Sequence, residues 1–355
     1  MADQASERLA SERLPRGQQN EHLAAGPQEH AARGATVLPS CHYPGRNLQM
    51  HLAINDIEPA PWSNPLAGLV VSSDVSSSAD WRVVLDAKSA DSALVVGDAR
   101  VALATVPDET FQTTITSPPY WSLRDYGIDG QIGMEESLAD YIANLVDVFD
   151  DVRRVTRGDG TLWLNIGDSY TSGGRTWRAP DRKNPIRAMD RRPATPDGLK
   201  SKDLIGVPWR IAFALQEAGW YLRADVIWSK PNCQPESVKD RPTRAHEYMF
   251  LFSKSERYKY DSDAVRGPNA RNLRTIWDVN TQPYKEAHFA TYPVQLVEPC
   301  VHLATDAGDL VLDPFIGSGT TGVAALGTGR RFVGIELNPS YVDIAERRVS
   351  GILGR

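Results

Sequence analysis

Two short runs and one carboxylate have the residue types and order to do chemistry. The first run is Thr116-Ser117-Pro118-Pro119-Tyr120-Trp121. Consecutive prolines fix φ and keep Ser117 out of the helical region, so they make a rigid turn with carbonyls in set directions. An amine placed there can donate its hydrogens to the Pro118 carbonyl and the Ser117 hydroxyl. Tyr120 offers a face on which a flat base can stack. Trp121 either walls the same pocket or packs in the core. The second run is Asp313-Pro-Phe-Ile-Gly-Ser-Gly-Thr-Thr321. It sets a glycine-rich turn between an apolar strand and a helix. Gly317 and Gly319 permit positive φ and close approach of backbone to a ligand. The N–H groups opening the helix are free to meet a carboxylate or phosphate. Glu336 follows about twenty residues later at the end of the next strand, where an acid can accept from both hydroxyls of a ribose.

These residues need a scaffold. The chain has 355 residues, which suits two domains or one large α/β domain with additions. At 41% hydrophobic and 24% charged residues it has apolar material for a sizeable core. No apolar run is long enough for a membrane span, and the N-terminus lacks the apolar region of a secretory signal. Cys41, Cys233 and Cys300 form no CxxC pair. Neither a disulfide scaffold nor a cysteine metal site is expected, and a reducing cytoplasm fits. A net charge of −6 argues against a general nucleic-acid coat, but not against an enzyme with a local basic footprint.

Strands are predicted at 93–97, 111–116, 161–167, 221–228, 247–253, 309–315 and 330–337. Helices are predicted at 137–155, 203–218, from 320 and at 340–350. In the first helix Leu138, Tyr141, Ile142, Leu145, Val148, Phe149 and Val152 recur at helical spacing behind Ser137, a fit N-cap. The run Gly158-Asp159-Gly160 reads as a turn before the next strand, and Gly219 as the C-cap of the second helix. Strands alternating with helices imply a doubly wound, mostly parallel α/β sheet covered on both faces. Residues 1–80 read as an N-terminal extension, largely disordered or linker, and 81–355 as the catalytic domain. Two irregular insertions, 171–202 and 262–287, interrupt that domain. The first carries Arg175, Arg178, Arg182, Lys183, Arg187, Arg191 and Arg192; the second carries Arg266, Arg271, Arg274 and Lys285.

Taken together, TSPPYW and DPFIGSGTT resemble the catalytic and S-adenosylmethionine motifs of the amino-methylating DNA methyltransferases. The catalytic motif comes first, which is the order of their β group. The resemblance extends to Gly97-Asp98, LWLNIGDSY (162–170), DVIWSKPN (225–232) and YPVQLVEPC (292–300). It implies a Rossmann-like methyltransferase that uses S-adenosylmethionine and no metal. The expected reaction is transfer of methyl to the exocyclic N4 amine of a flipped cytosine in duplex DNA, by direct displacement without a covalent intermediate. Ser117, Pro118, Pro119 and Tyr120 would be catalytic. Asp98 would sit by the adenine amine, unless it is a turn carboxylate. Phe315, Gly317, Gly319 and Thr320 would line the methionine end, Glu336 would hold the ribose, and Asp313 would stand beside them. Serine before Pro-Pro-Tyr is typical of cytosine-N4 enzymes; Asp or Asn there is typical of adenine-N6 enzymes, the runner-up.

The arginine-rich 171–202 segment is the first candidate for target recognition, through guanine edges or phosphates, and 262–287 the second. The implied partners are double-stranded DNA and a cognate restriction endonuclease acting on the same site. The expected form is a monomer or homodimer, cytoplasmic and nucleoid-associated, encoded by a prokaryote or a phage. Two other classes are a cofactor-binding DNA regulator without turnover, which the intact TSPPYW disfavours, and an enzyme for RNA or a free base. Pro299-Cys300 resembles the Pro-Cys nucleophile of cytosine-C5 enzymes, but its surroundings read as a helix and favour a buried structural thiol.

Overall fold

The computed structural model describes residues 69–72, 81, 85, 91–172, 193–267, 270–282 and 291–354. All belong to one compact unit, Met50–Arg355. The strands are β1 (Leu69–Ser72), β2 (Ser92–Val96), β3 (Phe111–Thr116), β4 (Thr156–Ile166), β5 (Tyr221–Ser229), β6 (His246–Ser253), β7 (Ile276–Asp278), β8 (Leu310–Asp313) and β9 (Arg331–Glu336). They form one sheet in the order β1-β2-β9-β8-β3-β4-β6-β5-β7. Only β6 runs antiparallel to its neighbours; every other adjacent pair is parallel.

The helices are α1 (Ala99–Thr105), α2 (Leu138–Val155), α3 (Val207–Glu217), α4 (Val294–Ala304), α5 (Thr320–Gly327) and α6 (Pro339–Leu353). Apolar residues of α1, α2 and α3, among them Leu103, Leu145 and Ile211, form one core cluster. Those of α4, α5 and α6, among them Leu296, Ala325 and Val349, form a second. The sheet lies between the two clusters, so β3, all six residues of which are buried, has no face open to solvent, and its Gln and Thr side chains are enclosed. Ser137 caps α2 as its position predicts: its side chain accepts from the Asp140 N–H.

Four expectations change. The Gly158-Asp159-Gly160 turn is instead part of β4, which begins at Thr156 and carries a register shift opposite Phe111–Thr113. At Gly160 a Cβ would lie 2.6 Å from the Gln112 carbonyl, so the irregular pairing needs glycine there. Helix α3 starts at Val207 and not 203, because the Asp168 carboxylate accepts the N–H groups of Gly206 and Val207 and sets the start from outside the segment. The 262–287 insertion is not wholly irregular. Its residues Ile276–Asp278 are β7, and buried Trp277 packs on Trp163 with ring centres 6.1 Å apart. Finally, the sheet begins before Trp81, since β1 pairs in parallel with β2. Strands of three or four residues are too short to show a period.

Candidate active site

The carboxyl ends of β2, β9, β8, β3 and β4 share one edge of the sheet. Because β6 runs the other way, its first residues, His246 and Glu247, join that edge. Ligands of open parallel sheets bind there.

The Ser117-Pro118-Pro119-Tyr120 turn leaves β3 after Thr116. Thr116 is fully buried, and its Oγ1 donates to Asp313 Oδ1 at 2.6 Å. Asp313 also accepts from Tyr292 Oη at 2.9 Å, Thr321 Oγ1 at 2.6 Å and the Phe315 N–H at 3.1 Å. Burial pushes its carboxyl upward while these donors pull it down. Asp313 is thus enclosed and spends its oxygens on protein, bracing the two motifs from below. Within the turn, Pro118 is buried, and the Pro119 carbonyl accepts from Tyr141 Oη of α2 at 2.8 Å. Trp121 belongs to the core: it is 5% exposed and its Nε1 donates to the Glu135 carbonyl.

Tyr120 has partners that sequence spacing does not reveal. Its hydroxyl donates to Glu247 Oε2 at 2.9 Å and lies 3.4 Å from Asn165 Oδ1. Glu247 in turn pairs with Lys230, whose Nζ sits 4.0 Å from the centre of the Trp228 ring. Burial, with Glu247 adding to it, lifts the Tyr120 phenol well above its usual value, so it remains a donor. Glu247 is 127 residues from Tyr120 in the chain, and only the antiparallel turn of β6 brings it near.

On the other side of the edge, Gly317 and Gly319 adopt φ of +51° and +86°. A Cβ at Gly319 would come within 3.0 Å of the Ala345 Cα, whereas at Gly317 it would meet nothing nearer than the Phe315 carbonyl at 3.9 Å. Gly317 therefore leaves open space at the mouth of the turn. Gly317, Gly319 and Gly322 also carry the GxGxxG spacing of dinucleotide turns, so spacing alone does not separate a nucleoside from a dinucleotide. Gly322 serves packing, with Phe332 within 2.9 Å of its notional Cβ.

Glu336 accepts the Gly317 N–H at 3.0 Å and the Asn338 N–H at 2.9 Å. Burial raises its carboxyl to about 7. An enclosed carboxylate beside an open glycine turn suits donor hydroxyls such as those of a ribose. Asp98 caps α1 through the Arg100 N–H at 2.8 Å and forms an ion pair with the Arg100 side chain. Burial would raise its carboxyl, but Arg100 outweighs this and holds it below the usual range. Thr320 is buried, and its Oγ1 accepts from Arg348 at 3.1 Å; Phe315 is half-buried against the first core cluster.

Arg175, Arg178, Arg182, Lys183, Arg187, Arg191 and Arg192 lie outside the described residues. In the second insertion Arg266 pairs with Asp263 at 2.6 Å. Arg241 stacks on Tyr170 at 3.8 Å and pairs with Glu236, and so serves structure. Cys300 lies in α4, fully buried, and burial raises its thiol well above the ordinary value. That environment fits a structural thiol and not a nucleophile.

The sheet, the glycine turn after β8, the acid that ends β9 and the Ser-Pro-Pro-Tyr turn after β3 define an S-adenosylmethionine-dependent methyltransferase. The DNA methylase family model for N6 and N4 enzymes matches residues 111–347, and the chain belongs to that family. It is 58% identical over 262 residues to the type II methyltransferase M.Cfr9I of Citrobacter freundii, covering 73% of this chain and 87% of that protein. It is likewise 58% identical over 262 residues to M.SmaI of Serratia marcescens, covering 72% and 90%. Among solved structures it resembles the putative DNA modification methylase TTHA0409 of Thermus thermophilus, complexed with S-adenosyl-L-methionine. That match has 27% identity and a TM-score of 0.53, over 73% of this chain and 93% of the other. The cytosine-N4-specific PvuII DNA methyltransferase shares the fold, with TM-score 0.56 at 20% identity over 82% and 95%. The protein is a type II DNA methyltransferase of the N4/N6 family.

Proposed function

We propose that the protein methylates the N4 amine of a cytosine extruded from duplex DNA, at the site of a cognate restriction endonuclease. One observation carries this reading. A neutral serine, and no carboxylate, precedes the two prolines after β3; its hydroxyl meets Tyr120, and Tyr141 Oη occupies the Pro119 carbonyl, so Ser117 and the Pro118 carbonyl would be the acceptors for the amine. An aromatic amine is a poor nucleophile because its lone pair delocalises into the ring. Hydrogen bonds from the amine to Ser117 and Pro118 favour a pyramidal nitrogen and release that pair. Bound S-adenosylmethionine supplies an activated methyl on a sulfonium, which calls for neither a metal nor a covalent enzyme link. Rigid prolines and the Thr116–Asp313 brace fix the angle of approach, and alignment alone contributes several orders of magnitude in rate. Tyr120 replaces the stacking that the base loses on leaving the helix. Glu336 would hold the ribose, Gly317 and Gly319 the methionine end, and Asp98 the adenine amine once it exchanges Arg100 for the ligand. The 171–202 segment, through its arginines, would read the target site.

The test is methylation of unmodified genomic DNA by the purified protein, followed by nucleoside mass spectrometry. Ser117→Ala and Tyr120→Ala run beside it. N4-methylcytosine that disappears in both variants supports the proposal. N6-methyladenine keeps the amine chemistry but overturns the base assignment made from Ser117. Binding of cofactor and duplex with no methylated nucleoside overturns the reaction.

A further inference from the structure

We propose that Glu247, held by Lys230, is a positioning residue that fixes the Tyr120 ring at the mouth of the base pocket. The inference rests on the reading of Tyr120 as the stacking residue.

A tyrosine ring is attached at one end only, and two rotatable bonds decide where its face points. At Tyr120 the other end is also tied down. Its hydroxyl donates to Glu247 Oε2 at 2.9 Å, while Asn165 Oδ1 at 3.4 Å is a weaker second acceptor. Asn165 cannot swing closer freely, since its Nδ2 donates to the Tyr248 carbonyl at 3.0 Å. Glu247 is itself anchored. Its second oxygen pairs with Lys230, and that ammonium also lies 4.0 Å above the Trp228 ring. The two side chains are 19% and 16% exposed, so solvent competes little for the pair. Gly167 closes the flank: a Cβ there would stand 3.0 Å from Tyr120 Cε2 and 3.2 Å from Glu247 Cγ and Cδ. Asn165 of β4 and Glu247 of β6 thus meet at one phenol hydroxyl, and Lys230, just beyond β5, holds Glu247. A chain of charge, acceptor and donor with no bulk to spare around it is a device for holding a ring plane. A ring that merely filled space would not need a charged acceptor.

The test uses the full-length protein and a duplex bearing the site mapped from methylated genomic DNA, with kcat read on the unsubstituted duplex and unstacking read on a second duplex carrying 2-aminopurine next to the target cytosine. Glu247→Ala should lower kcat about tenfold or more. Cofactor affinity should change little, the melting temperature should fall because Lys230 loses its partner, and the 2-aminopurine signal should fall. Glu247→Gln should restore most of kcat, because the amide oxygen still accepts the phenol hydrogen. Tyr120→Phe removes the same bond without removing a charge and should match Glu247→Ala. The double variant should be no worse than either single one. A further loss in the double variant would show that Glu247 acts elsewhere and overturn the proposal, as would wild-type kcat in Glu247→Ala. If Glu247→Ala fails to fold, Tyr120→Phe decides: wild-type kcat and wild-type unstacking there reject the tether. Tyr120→Ala separates the two levels of argument. Full activity in that variant rejects the stacking reading itself, whereas its inactivity beside an unaffected Glu247→Ala rejects only the positioning role.

Discussion

Thr116 Oγ1 donates to Asp313 Oδ1 at 2.6 Å across 197 residues of sequence. The two residues end adjacent parallel strands, β3 and β8, and each is followed at once by a functional turn. The Ser-Pro-Pro-Tyr turn and the glycine turn are therefore registered to one another at their roots.

That bond predicts a coupled loss. Thr116→Val keeps the shape but removes the donor, leaving an enclosed carboxylate one partner short. It should cost about 1–3 kcal/mol in denaturant unfolding. It should also lower kcat more than it weakens cofactor binding, since the glycine turn remains intact. Unchanged stability together with unchanged kcat would show that the brace does nothing.

Glu336 predicts a pH dependence. Burial raises its carboxyl from the ordinary 4.5 to about 7. The folded state thus favours the neutral form, so the stability it contributes is full below about pH 4.5 and is lost as pH rises through about 7. Ligand hydroxyls reverse the preference, because the ionised carboxylate is the better acceptor for both. Calorimetry should find S-adenosylmethionine binding severalfold tighter at pH 8 than at pH 6, with an observed enthalpy near pH 6 that varies with the ionisation heat of the buffer and so reports proton release. Glu336→Gln should bind more weakly and show a flat profile. A flat profile in the unaltered protein would remove Glu336 from the ribose site.

Cys300 predicts an absence of effect on chemistry. Its thiol is fully buried and faces the Leu296 carbonyl one helical turn back. Cys300→Ala should cost about 1 kcal/mol of stability through lost packing and leave methylation intact. Abolished turnover in a folded variant would revive the nucleophile reading.

Much of this architecture is legible in the sequence, and the losses have physical causes. The β3 run FQTTIT, helix α2 with its Ser137 cap, the glycine turn and Glu336 all announce themselves, because each is specified by residues that are neighbours in the chain. Strand β7 does not, because three residues carry no period and its burial comes from Trp163 on another strand. The start of α3 is set by Asp168, thirty-eight residues away from Gly206, and no local signal could place it. Asp313 looks like a ligand residue from its motif, yet Thr116, Tyr292 and Thr321 enclose it. Lys230 stands inside the run 225–232 that the family resemblance covers, and Glu247 opens the predicted strand 247–253. What ties them to Tyr120 is the direction of β6, which sequence spacing does not encode.

The strand order carries a consequence for how the chain is made. β2 and β3 follow one another in sequence, but β9 and β8 lie between them in the sheet. A growing chain on the ribosome therefore displays two hydrophobic strands with bare inner edges until residues 310–336 arrive. Such edges invite pairing with other chains. The last strands to be synthesised act as the keystone. No fragment that stops before residue 310 contains both motif turns, so the edge that they share is completed only when β8 and β9 join the sheet.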